Sequence, residues 1–94
     1  MTLKPPSTRK QRDKHQTMTR DDFLRIAKTE DIRFDAFNLD GEGNECYVVA
    51  RHQDRWVVYY SERGLQRNPR EFLTEPSALE CLLELLRADP TTRL

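Results

Sequence analysis

The stretch WVVYYSERG, residues 56–64, constrains the fold of this chain more than any other. Trp56, Val57, Val58, Tyr59 and Tyr60 are five bulky apolar or aromatic residues in a row. A run so rich in β-branched and aromatic types reads as a strand. A strand turns alternate side chains to opposite faces, and in a chain of 94 residues one sheet face is ordinarily wet. The run therefore demands cover for two sets of rings. ECYVVARH (45–52) before it has the same character, and HQDR (52–55) is a tight reversal. With Gln53-Asp54 as a two-residue turn, Arg51 faces Trp56, Val49 faces Val58 and Tyr47 faces Tyr60. One face then holds Tyr47, Val49, Trp56, Val58 and Tyr60, and the other Cys46, Val48, Ala50, Val57 and Tyr59. A slip of one residue would exchange partners between the two sets. The larger, Trp56-containing face is the expected core. The second is either an exposed apolar patch containing Tyr59, of the kind that marks interfaces, or a surface covered by a long loop or a fourth strand.

The flanking segments supply the cover. Thr19, with Asp21 and Asp22 just after it, reads as a capped helix start, and Phe23, Ile26 and Ala27 give the stripe of a helix ending near residues 28–30. RFDAFNL (33–39) reads as a short strand and DGEGN (40–44) as a turn. RGLQRNPREF (63–72) is turn-rich, and residues 71–73 add a short edge strand, since Pro69 cannot donate to a central ladder. The last helix is the clearest. Thr74 or Ser77 caps it, Pro76 fits its first turn, Leu79, Leu82, Leu83 and Leu86 share one face, and Asp89-Pro90 stops it. The order α-β-β-β-(β)-α describes an α+β fold: a three- to four-stranded antiparallel meander with two helices on one face.

Residues 1–17 are read as a disordered basic tail and 18–94 as a single α+β domain. In the tail Lys4, Arg9, Lys10, Arg12 and Lys14 stand against Asp13 alone, with almost no apolar residues. It has no aromatic residue to stack on a base, and Met18 is an alternative start. No hydrophobic stretch follows the basic residues, as a secretory signal would require, and no run reaches the roughly 18 apolar residues of a membrane span. The expected compartment is the cytoplasm, with Cys46 and Cys81 as reduced, buried thiols. Formal net charge is zero, but it is sorted. Glu30, Asp31, Asp35, Asp40, Glu42 and Glu45 face only Arg33 within 30–45, whereas Arg51, Arg55, Arg63, Arg67 and Arg70 outnumber Asp54 and Glu62 within 51–70.

Catalytic chemistry is hard to find in the pattern. His15 lies in the tail and His52 at a hairpin tip, neither with partners at metal-ligand spacing. GEG (41–43) has acidic flanks that would repel a phosphate, and Ser61 has no histidine base nearby. The reading is a non-enzyme with no cofactor and no metal.

MTRDDFL (18–24), LDGEGNECYVV (39–49), WVVYYSERG (56–64) and FLTEPSALECLLELLRADPTTR (72–93) together give a chain that resembles the small immunity proteins of bacterial polymorphic-toxin and contact-dependent inhibition systems. The resemblance implies an intracellular, non-enzymatic inhibitor that binds a cognate toxin and blocks its active site. An acidic surface suits that role, because toxins acting on nucleic acids have basic clefts and opposite charge steers association. Asp40, Glu42, Glu45, Tyr59, Glu62 and Arg63 are the expected partner-binding residues. In the hairpin register above Glu45 lies opposite Glu62, a like-charged pair that costs stability and so suggests a basic partner. The alternative is a double-stranded-RNA-binding-like or other nucleic-acid-binding module. It shares the element order but lacks lysines at the start of the last helix. A homodimer built on the second sheet face is compatible with either.

Overall fold

The computed structural model describes residues 18–94. The expectations for the tail and for a start at Met18 concern a boundary whose N-terminal side lies outside the described residues. Helix α1 runs Arg20–Thr29. Thr19 caps it by accepting from the Asp22 N–H, and the Asp22 carboxylate returns the bond to the Thr19 N–H, a reciprocal capping box. A single 3-10 turn, Phe34–Ala36, leads into β1, Phe37–Asn38. Strands β2 (Cys46–His52), β3 (Arg55–Glu62) and β4 (Leu65–Phe72) follow. Helix α2, Glu75–Ala88, is capped by Thr74 and leads through Asp89 to a 3-10 turn at Pro90–Thr92.

The sheet order is β1-β2-β3-β4. The β2–β3 hairpin has the expected register, with Arg51 opposite Trp56, Val49 opposite Val58 and Tyr47 opposite Tyr60. Three expectations need correction. First, the sheet is mixed: β1 runs parallel to β2, with Phe37 against Tyr47 and Asn38 against Val48. Second, only two residues of 33–39 are strand, because Phe34–Ala36 coil into the 3-10 turn before pairing begins. Third, the edge strand is the whole of 65–72 rather than residues 71–73. Arg63 and Gly64, at φ 52° and 83°, make the two-residue turn that starts it. Pro69 is tolerated because β4 is an edge and the ladder shifts register there, between Val58 and Tyr60.

The Trp56 side is the core side. Val49 and Val58 are fully buried among Phe23 and Ala27 of α1 and Ala78, Leu79, Leu82, Leu83 and Leu86 of α2. Helix α2 lies across β2, β3 and β4, whereas α1 packs against α2 and reaches the sheet through Phe23, whose ring meets Phe37 edge-on at 5.0 Å. Trp56 sits at the rim of this core, half-buried, with the Arg51 guanidinium 5.6 Å from its ring centre. The C-terminal segment is pinned back on the α1 exit. Arg33 N–H donates to the Thr92 carbonyl at 2.7 Å, Leu94 N–H donates to Asp31 at 2.8 Å, and Arg87 grips the Glu30 carboxylate at 2.6 Å. Among the described residues no helix is long and apolar enough to cross a membrane.

Candidate partner-binding site

The second face is built from Cys46, Val48, Tyr59 and Ser61, with Ala50 and Val57 at its open end. Its cover is the loop 39–45, which begins level with β1 and returns to start β2. The Gly41 N–H donates to the Val49 carbonyl at 3.1 Å. The Asn38 carboxamide oxygen accepts from the Asp40 and Glu42 N–H groups at 2.8 and 3.1 Å and turns the chain. The backbone at Gly43 then lies against the sheet: a Cβ there would stand 2.5 Å from Cys46 Sγ and 3.0 Å from Val48 Cγ2. The Ser61 hydroxyl donates to the Gly43 carbonyl at 2.7 Å and fastens the loop. One of the two covers expected for this face is therefore present, over the β2 half.

Tyr59 thus differs from its expected place. It is only 8% exposed, packed against Cys46 and Val48 rather than displayed. Beyond it the face stays open as a groove of about 490 Å³, lined by Ala50, Arg51, His52, Val57, Tyr59, Gln66, Pro69 and Glu71. Neither helix reaches it.

The expected acidic cluster is divided. Asp40 and Glu42 lie at the Ala50–Trp56 end of β2, in a recess shared with Arg20 and Arg51. Glu45, at φ 59°, comes immediately before Cys46 at the other end of the strand. Glu62 and Arg63 are near it, at the end of β3 and in the next turn. The expectation of an unpaired Glu45–Glu62 juxtaposition is overturned. Ladder pairing stops at Cys46–Ser61, and Glu62 is held by Arg67 at 3.0 Å. Asp40 also has a folding role, since Arg20 Nη1 meets it at 3.1 Å. The same guanidinium reaches Glu75 at 2.8 Å and the Leu39 carbonyl at 3.0 Å. Arg20 therefore ties α1, the acidic loop and the start of α2 together. Its partners stand up to 55 positions away in sequence, and no local pattern marks it. Glu42 and Glu45 have no ion-pair partner among the described residues.

Within 51–70, Arg55 meets Glu71 and Asp54, Arg67 meets Glu62, and Arg51 covers Trp56. Among the described residues no three His, Cys, Asp or Glu side chains converge as a metal site. Burial raises the Cys46 thiol above its ordinary range, which keeps it protonated, and both cysteines are free. They lie on opposite sides of the sheet, Cys81 in the helix-side core and Cys46 under the loop. Compared with models of known families, with curated proteins and with solved structures, the chain matches none.

Proposed function

We propose that this chain is a non-enzymatic, immunity-type inhibitor that seats a toxin domain on the sheet face away from its helices. The observation that carries the reading is the half-covered second face. Both helices serve the opposite side, the loop covers Cys46 and Val48, and Ala50, Val57 and Pro69 stay open beside Tyr59. An apolar strip bordered by charge is the composition of a binding surface. Glu42 and Glu45 stand on the loop that covers the neighbouring half of this face, Glu42 towards the Ala50 end and Glu45 beside Cys46, so a basic cleft that reaches over the loop meets negative charge next to the apolar seat. The cationic stretch 51–70 spends Arg55 and Arg67 on internal ion pairs, which favours a protein partner over a nucleic-acid backbone.

The test is co-expression with the C-terminal domain of a toxin encoded by the adjacent gene. The parent chain is expected to form a complex and protect the cell. Val57→Lys places a charge on the open strip, and its long stem lets the ammonium reach water. That variant is expected to stay folded by circular dichroism and to lose protection. No complex with the parent, or full protection by folded Val57→Lys, defeats the reading.

A further inference from the structure

We propose that the β4 bulge builds a second site, on the helix side of the sheet, that binds the carboxylate of a small aromatic acid. In a regular strand Arg67 and Arg70, an odd number of positions apart, would point to opposite faces. Here Arg67 pairs with Tyr60 and Arg70 with Val58, so Asn68 and Pro69 together oppose Tyr59 alone. Asn68 takes the left-handed φ of 50° that this requires, a conformation Asn tolerates. The extra residue brings both guanidinium groups to the side where α2 lies, and Arg70 Nη1 comes 3.9 Å from the Cys81 thiol. An open recess of about 380 Å³ lies between Leu85 of α2, Tyr47, Tyr60, Glu62 and the two arginines. That volume is in the ordinary range for a ligand pocket.

The lining states the ligand. Glu62 and Arg67 neutralise each other at 3.0 Å. Arg70 has no acidic partner among the described residues, so the lining carries one surplus positive charge. Arginine presents a planar fork that suits a carboxylate. Asp89 is already occupied by Thr91 and the Tyr47 hydroxyl. The Tyr60 hydroxyl makes no hydrogen bond to another described residue, and burial, with Glu45 and Glu62 nearby, keeps its proton on. It is a donor in the same lining as the guanidinium. Tyr47 and Tyr60, edge-to-face at 4.9 Å, and Leu85 give the wall for a flat apolar body. This site opens on the opposite side of the sheet from the proposed toxin seat, shares only Tyr59 with it, and does not depend on it.

The experiment is a nitrogen-15 NMR titration of the full chain with sodium benzoate, with benzamide as the neutral isostere and N-acetylphenylalanine as a polypeptide C-terminus. Benzoate is expected to give saturable shifts at Tyr60, Leu85 and Arg67–Arg70, and benzamide to bind about tenfold more weakly or worse. Arg70→Gln is expected to weaken benzoate about tenfold, with Arg70→Lys intermediate and Val57→Lys unchanged. Tighter binding of N-acetylphenylalanine than of benzoate assigns the carboxylate to a chain terminus, and the reverse assigns it to a free acid; either supports the site. Absence of saturable shifts, equal binding of benzamide, or a folded Arg70→Gln that binds as well as the parent overturns it.

Discussion

Tyr47 hands its hydroxyl hydrogen to Asp89 across 2.9 Å and so ties β2 to the end of α2. Burial, then the bond to Asp89, pushes its phenol up to about 12. A folded value above the ordinary one of about 10 means that the stability it contributes is whole below pH ~10 and is lost as pH climbs through about 12. Asp89 runs the other way. Hydrogen bonds from Thr91, then from Tyr47, hold its carboxyl below the usual range. Its contribution is present above the ordinary carboxylate value and fades as pH falls through the folded one. Tyr47→Phe is therefore expected to cost about 1 kcal/mol at neutral pH and to flatten the stability loss at both the alkaline and the acid end. Urea melts across the pH range read this directly; an alkaline loss as steep as the parent's would move that role to Tyr60, whose phenol is also raised. Gly43 argues from space rather than charge. Gly43→Ala would press a methyl into Cys46 Sγ and Val48 Cγ2, with an expected loss of about 1–3 kcal/mol and faster amide exchange at the loop–strand contact Gly41–Val49.

Elements differ in how plainly the residues announce them. The β2–β3 hairpin was legible to its register, since two alternating apolar runs flank a gap just long enough for a two-residue turn. Helix α2 was legible because its cap, leucine stripe and Asp-Pro stop all agree. The length of β4 was not, because LQRNPREF buries almost nothing and shows no alternation. Its pairing comes from the Arg63-Gly64 turn and from β3 beside it. β1 was expected as a strand within 33–39, but not its parallel direction or its two-residue length: so short a pairing has no pattern of its own and forms because Phe37 is drawn into the core against Phe23. Trp56 marks the limit of face assignment. Its face is the core side, as the alternation of the hairpin implies, yet the ring lies at the rim. Trp56→Ala is accordingly expected to cost about 2 kcal/mol, below the roughly 3–5 kcal/mol of a fully buried ring. Val58→Ala, at the centre, is expected to cost at least as much despite its smaller size. Paired thermal melts decide the order, and a larger loss at Trp56 would place it deeper than the rim.

Across the whole molecule the question set by WVVYY has two different answers: helices cover one face and a seven-residue acidic loop covers part of the other. The site followed from this only in outline. The open end of the second face was expected, but Tyr59 lies beneath the surface and the carboxylates divide between the two ends of β2, because a hairpin register does not say where a preceding loop will run. At each end one carboxylate is held in an ion pair and the other is left to meet a partner. Asp40 and Glu62 answer Arg20 and Arg67, so reversing them would confound folding with binding. Glu42 and Glu45 are exposed and carry no such ion pair among the described residues. The double change Glu42→Lys with Glu45→Lys is therefore expected to leave stability within about 0.5 kcal/mol of the parent. In the proposed complex it is expected to slow association with the basic toxin domain about tenfold at low salt. Because screening weakens the attraction between exposed charges, the parent's association rate should fall as salt rises, while the variant's stays nearly flat. Stopped-flow association at several ionic strengths, with a thermal melt as the control for folding, measures both. If the variant is folded and associates as fast as the parent at low salt, the loop carboxylates only face water, and recognition rests on the apolar strip from Ala50 to Pro69.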